Sequence, residues 1–527
     1  MANELSIFAT THHREPRAPG WAFLHPFLVL GLGVALAGIF VLSAWQEWQA
    51  QAILLTLLVL VACLPVAAYF PGTIESAVLF GLSFTLSISL KKHLLFRTSH
   101  MGGAIGLRIA ITDVLVLLLL TCLVFRIRPR QKIRVEIDSA VLTAFCIYFA
   151  IAMISATFGN DWQLGWFELS ALAQAFLLFV FLVNYVNNAK RFRIVLIGTV
   201  MGLLTQSLIA TVQLDHPGFP NLRFFGAAAE AEERISNGVI DLPNEDRGTT
   251  TIAGEVQERP SGLLIHPNVL ALYLVLTVPL AIGAWFLISS WWFQVVSIAA
   301  IASSGVALFL TLSRSGWAGC AAGGMLTLVL WRRWKPALLS RGQTLFFAFL
   351  AVVLVIAAAV KAEKIYLRLT ETATEALEFR SNLTTAAWNM LEAHPLLGVG
   401  LNSFETVVQD YDPSTMSRVK RFPVHNILLL ELSETGVLGG TAFLVLWVVV
   451  LRRMFIAVRR IASPRLKTLA LLMTCGVVGF FVADMSNFVY RVPIATSLIW
   501  AQVALVLAAE RVGLATQATG HTELTTT

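Results

Sequence analysis

Residues 107–134 read LRIAITDVLVLLLLTCLVFRIRPRQKIR. From Leu107 to Phe125 only Arg108 and Asp113 carry charge, and Arg126, Arg128, Arg130, Lys132 and Arg134 follow at once. A helix rises about 1.5 Å per residue, so about 20 apolar residues cross a hydrocarbon core about 30 Å thick. Lys/Arg clusters in short turns stay on the cytoplasmic side of a membrane. The stretch therefore reads as a membrane helix whose C-terminal end faces the cytoplasm.

The rest of the chain repeats this pattern. Of 527 residues, 57% are hydrophobic and 13% charged, and the mean hydropathy is +0.75. A soluble protein carries about 25% charged residues, and so few charges cannot cover a water-facing exterior. Apolar segments begin near residues 24, 50, 73, 107, 138, 164, 192, 264, 293, 314, 342, 425, 467 and 491. The expected fold is an all-α polytopic membrane protein of about 14 transmembrane helices, within a range of 12–14. The net charge of +7 lies in turns between apolar runs, so no nucleic-acid partner is read from it.

Counting from the 126–134 turn, Lys190/Arg191/Arg193, Arg332/Arg333/Lys335/Arg341 and Arg452/Arg453/Arg459/Arg460/Arg465/Lys467 fall on the cytoplasmic side, as do Arg14 and Arg17. Both termini are then cytoplasmic, in a bacterial inner (plasma) membrane. Lys91, Lys92 and Arg97 disagree with the count. Either that region holds a re-entrant segment or the third apolar run is not a span. Ala35-Leu36-Ala37 resembles a signal-cleavage site, but the apolar run continues to Ser43, which favours a retained first helix. Cys63, Cys122, Cys146, Cys320 and Cys475 all lie in apolar stretches, where small buried hydrophobes are expected rather than a disulfide framework.

The segments divide into N-terminal spans (1–214), a first extracytoplasmic loop (215–262), central spans (263–361), a second extracytoplasmic loop (362–424), C-terminal spans (425–511) and a cytoplasmic tail (512–527). Loops this long between membrane helices usually carry function. Both are expected to contain short helices. In the second, Phe379, Leu383, Ala386/Ala387, Met390 and Leu391 recur at helical spacing, so 376–392 reads as an amphipathic helix able to roof a cavity.

Three motifs meet the outer face. Arg259 precedes Pro260-Ser261-Gly262 and His266-Pro267-Asn268. Arg314 stands in Ser313-Arg314-Ser315-Gly316-Trp317. His425-Asn426 follows Arg421-Phe422-Pro423 and opens a span. Guanidinium groups are permanently charged forks that suit phosphate oxygens, and two of them can stabilise a diphosphate leaving group. A neutral imidazole takes the proton of an acceptor hydroxyl, an effect of about 10²–10⁴-fold. A helix N-terminus favours both an uncharged ring and a nearby phosphate. No acidic cluster with metal-ligand character stands out, Asp410 and Asp412 being the nearest. No metal or other cofactor is called.

Plainer readings stand beside these. A boundary arginine also snorkels or anchors a helix, and a histidine beside Asn426 or Pro267 also serves as a helix cap. Glu431 and Glu434 lie about 9 and 14 Å along the helix from His425. They pair with an arginine, stay protonated or line a polar cavity.

At these residues the sequence resembles the O-antigen ligase/polymerase family of bacterial membrane glycosyltransferases. The resemblance rests on His425-Asn426 followed by Gly436 and Gly439, with LTLSRSGW (Leu310 to Trp317), RPSGLLIHPN (Arg259 to Asn268) and WNMLEAHPLLGVGLNSF (Trp388 to Phe404). It implies metal-independent, inverting transfer from an undecaprenyl-diphosphate-linked glycan to a sugar hydroxyl on a growing glycan or lipid A core. The resemblance makes His425 the base and Arg259, Arg314 and Arg380 the diphosphate ligands, with His266, Asn268, Asn426 and Glu434 in support. The ligase pattern commonly sets a threonine after the second glycine, whereas here Gly440 precedes Thr441. That departure, the long first loop and the extra spans lean towards an O-antigen or exopolysaccharide polymerase. O-antigen ligase is the alternative, and a lipid-linked glycan transporter or flippase, or a noncatalytic envelope scaffold, are readings from other classes. Asp113, Glu431, Glu434 and Asp484 keep the transporter reading open.

Overall fold

The computed structural model describes residues 71–88, 91–97, 100, 102–126, 135–213, 249–252, 255–334, 374–412, 414 and 421–519. Within them lie α1 (Pro71–Thr85), β1 (Lys91–Phe96), β2 (Gly106–Ala110), α2 (Ile111–Arg126), α3 (Ser139–Phe158), α4 (Trp162–Tyr185) and α5 (Ala189–Val212). There follow β3 (Thr249–Ile252), β4 (Glu255–Glu258), α6 (Pro267–Leu287), α7 (Trp291–Leu310), α8 (Arg314–Trp334) and α9 (Thr374–Ala393). The chain continues through α10 (Phe404–Tyr411), α11 (Ile427–Arg460), α12 (Pro464–Asp484), a 3-10 turn (Val489–Arg491) and α13 (Pro493–Thr519).

Among the described residues eight helices are long and apolar enough to cross a membrane: α3 to α7, α11, α12 and α13. The expected segments near 24, 50 and 342 lie outside the described residues. Helices start where polar caps satisfy free amides. Asp138 accepts from Ala140 and Val141, Asp161 from Leu164, and Asn188 from Arg191. The outer faces of these helices expose Ile147, Leu177, Val295 and Val448, as a lipid-facing surface does. Of the described cysteines, all free thiols, Cys475 is buried but Cys146 and Cys320 are exposed. The expectation that they are buried fails for these two, because an apolar sulfur is as well accommodated by hydrocarbon as by a protein core.

Two features depart from an all-α architecture. β1 and β2 pair antiparallel, Lys91 opposite Ala110, and β3 and β4 likewise, Thr249 opposite Glu258. In the described part of the first loop the secondary structure is thus a hairpin, not a helix. Antiparallel pairing closes backbone hydrogen bonds locally in either hairpin. Two of the discordant cations, Lys91 and Arg97, belong to the β1–β2 hairpin region, where Arg97 pairs with Asp161, and the third apolar run is the 15-residue α1.

The bundle has two chemically distinct ends. At one, Arg191 pairs with Glu75 at 2.5 Å, Arg453 with Asp138 at 2.7 Å and Glu510 at 2.6 Å, and Arg459 lies 5.4 Å from the Trp334 ring. This is the basic end. The opposite end gathers the α3–α4 turn, the residues leading into α6, the α7–α8 turn, the start of α11 and the α12–α13 connection. A second hydrophobic core covers it, built from Leu383, Ala386, Ala387 and Met390 of α9 against Phe404, Val408, Val424 and Leu430. The amphipathic helix read at 376–392 is α9, and this is its buried face.

Candidate active site

The HN-x9-G motif has a structural cause. Asn426 caps α11 by accepting from Leu429 N at 3.0 Å, and the helix breaks at Gly436, where φ is 67° and ψ −173°. That conformation is essentially restricted to glycine. A Cβ there would lie 2.3 Å from the Leu396 carbonyl carbon. The break frees backbone groups inside an apolar bundle, where each unpaired one is costly. A strap from Pro395 to Gly400 satisfies them. Val437 N donates to Pro395 O at 2.8 Å and Leu438 N to Leu396 O at 3.4 Å. In return Val399 N donates to Ser433 O at 3.0 Å and Gly400 N to Glu434 O at 2.9 Å. Gly398, at φ +68°, makes the matching close approach.

His425 precedes this cap. Its ring meets Phe488 edge-on at a centroid distance of 5.4 Å, and its buried Nδ1 has no hydrogen-bond partner among the described residues. Burial, then the neighbouring Arg380 charge, push the His425 pKa down to about 3. His266 caps α6 by accepting from Asn268 N at 3.1 Å. Burial, then Arg259 and then His425, lower its pKa to about 3 as well. These influences bring Arg259, His266, His425 and the exposed Arg380 into one neighbourhood, with both rings neutral near pH 7.

Arg259 emerges directly from the β3–β4 hairpin. Its Nε donates to Thr311 O at 2.6 Å and its Nη2 to Asn268 Oδ1 at 2.7 Å. Thr311 lies in the turn that presents Arg314 as the first residue of α8. Leu312 in that turn has φ 49°, a left-handed conformation costing about 1–2 kcal/mol for an L-residue. Arg314 is half-buried and flanked by Ser313 and Ser315, whose hydroxyls lie 3.2 Å apart. Arg259 and Arg314, two of the three arginines proposed from sequence, are therefore mounted on elements tied to each other.

Several residues of the assembly were not singled out from sequence. Asn487 accepts from Asn268 Nδ2 at 3.1 Å and donates to Ser315 Oγ at 2.7 Å. Arg491 is buried among three carboxylates: its Nε lies 2.9 Å from Glu431, its Nη2 2.7 Å from Glu434 and its Nη1 3.5 Å from Glu168. Glu434 also accepts from Asn402 N at 2.9 Å and Phe404 N at 3.0 Å. It holds the chain just past the strap, at the start of α10, and does not face the histidines' neighbourhood through any of these contacts. Of the roles left open for Glu431 and Glu434, pairing with an arginine is the one observed. Asp484 accepts from Val489 N at 2.7 Å and Tyr490 N at 3.0 Å, and Asp113 from Ala110 N at 2.9 Å. The sequence did carry a signal for Arg491, since intramembrane acids demand a partner. None pointed to Asn487.

A search of curated proteins found no match. Residues 298–444, which span Arg314, Arg380, the strap, His425 and the broken helix, match the family model described as O-antigen ligase, so the resemblance read from the motifs holds over this part of the chain.

Proposed function

We propose that the protein is a membrane glycosyltransferase that moves a glycan from a lipid diphosphate, of the undecaprenyl class, to a sugar hydroxyl. The observation that carries this reading is the placement of Arg259, His266 and His425 at one end of the bundle: Arg259 bonds to Asn268 and to the turn bearing Arg314, His266 caps the amide of Asn268, and His425 meets Phe488, whose neighbour Asn487 bonds to Asn268. The O-antigen ligase match supports glycosyl transfer of this type at family level.

In this reading the acceptor oxygen attacks the anomeric carbon and its proton passes to His425 Nδ1. The bond from that carbon to the phosphate oxygen breaks with inversion, and the lipid diphosphate leaves with the electron pair. Arg259, Arg314 and Arg380 stabilise the charge developing on it, a task that needs no metal. Burial first, and then the charge of Arg380, depress the basicity of His425 in the free protein. A bound diphosphate neutralises that charge and makes the ring a better proton acceptor. The outer face of a bacterial inner membrane suits such a donor, and the basic end then faces the cytoplasm.

A polymerase acting on a growing glycan is favoured over a ligase acting on lipid A core by the Gly440–Thr441 departure and the length of the first loop. A transporter is disfavoured because Glu431, Glu434, Asp484 and Asp113 are each engaged in internal pairs or caps. Purified protein in vesicles, supplied with an undecaprenyl-diphosphate glycan and an acceptor glycan, is expected to release lipid diphosphate and lengthen the acceptor. Movement of the donor across the bilayer with no transfer would overturn the reading.

A further inference from the structure

We infer that the connection between α12 and α13, residues 484–491, is a positioning element for this site, with Asn487 as its principal positioning residue. The inference rests on the proposed transfer reaction and assigns it residues beyond the family-matched segment, which ends at 444.

The amide of Asn487 joins two elements far apart in sequence. Its Oδ1 accepts from Asn268, the residue whose own Oδ1 receives Arg259. Its Nδ2 donates to Ser315, the neighbour of Arg314, and to Ala483 O at 3.1 Å. A continuous chain therefore runs from Arg259 through Asn268 and Asn487 to the first turn of α8. Asn487 is buried, so its amide has no water to replace a lost partner. The next residue, Phe488, sets its ring edge against His425. Arg259, through Asn268, Arg314, through its neighbour Ser315, and His425, by ring contact, are thus all linked to two consecutive residues.

The connection is fixed independently of those contacts. Asp484 closes it by accepting two of its amides. Arg491 pins its far end to Glu431 and Glu434 on α11, the helix that His425 precedes, and to Glu168 on α4. A displacement at Asn487 is expected to move Arg259 and Arg314 relative to each other and leave the bundle intact. Misplacing catalytic groups by about 1 Å costs about 10²-fold in rate.

The test uses the full chain in detergent or lipid nanodiscs, with an undecaprenyl-diphosphate glycan as probe. Asn487→Leu keeps the branched shape and removes all three side-chain hydrogen bonds. It is expected to lower kcat/KM by about 10²-fold, with a rise in KM for the donor, while the protein elutes as the folded species. Asn268→Leu is expected to cause a similar loss, and the double variant to be no worse than the worse single one, because both cut one chain. A merely structural role predicts a lowered folded yield with wild-type kcat/KM and donor KM in the folded fraction, and that result, or additive losses in the double variant, overturns the inference alone. Should Asn487→Leu not fold, Ser315→Ala combined with Asn268→Leu provides the same comparison, with additivity again counting against the chain. A wild-type protein that neither binds nor turns over the donor removes the transfer reading, and this inference with it.

Discussion

Arg491 and Glu434 form an ion pair of 2.7 Å with both side chains buried, and it joins the end of the sequence's last connection to the helix that His425 opens. Glu431 and Glu168 complete the shell around the guanidinium. Removing one member of a buried ionic group strands the others and typically costs about 3–5 kcal/mol. Arg491→Met is therefore expected to lower the thermal unfolding midpoint sharply in detergent, and Arg491→Lys to recover only part of it, because an ammonium cannot serve three carboxylates in one plane. A midpoint unchanged in Arg491→Met would mean that the shell is not what holds this region together.

Replacing His425 by alanine removes the proposed base without touching an arginine. Single-turnover transfer should fall by at least about 10²-fold, whereas affinity for the lipid diphosphate stays within a few-fold of wild type. Unaltered turnover would eliminate His425 as the proton acceptor.

Arg259 uses two of its nitrogens to hold the Thr311 carbonyl and Asn268, so Arg259→Lys loses geometry although it keeps charge. The variant is expected to bind donor about 10-fold more weakly or worse, the equivalent of about 1.4 kcal/mol. Equilibrium binding of the undecaprenyl-diphosphate glycan measures it. Equal affinity would leave the arginine as a structural brace only.

Gly436→Ala places a Cβ 2.3 Å from the Leu396 carbonyl carbon at a backbone angle of φ +67°. Neither the strap nor the helix can move away without losing their shared hydrogen bonds. Loss of both folded yield and transfer is expected, while Gly324→Ala, whose Cβ meets nothing within 4 Å, should behave as wild type.

The two histidines make stability depend on pH. Each is held neutral, with its pKa lowered from 6.5 to about 3, so between those values the unfolded chain binds more protons than the folded one. Stability then rises with pH through that window and falls as pH drops below about 6.5. The unfolding midpoint should decline from pH 7 to pH 5. His266→Asn, which retains a capping side chain, should flatten part of that decline, and an identical slope in the variant would count against a neutral buried ring.

What the sequence revealed followed the strength of local signals. The spans were legible because an apolar helix must satisfy its backbone internally, and the start of α11 because Pro423 and Asn426 mark it. The β1–β2 hairpin registered only as a contradiction, three cations on the unexpected side of the charge count. Arg259, Arg314 and His425 stood out as ionisable residues at loop–helix junctions. Asn487 is neutral and 219 residues from Asn268, so nothing local announces the bond between them. Gly436 was visible as a motif letter, but its positive φ is imposed by a strap that only the folded chain brings alongside.

That strap limits how the site can open. Its four backbone bonds to α11 close the gap at Gly436, so peeling it back would strand several polar groups at once. It behaves as a fixed wall. A bulky glycan must accordingly enter and leave past other parts of the rim, and rate-limiting gate motions, where they occur, are to be sought away from residues 395–400.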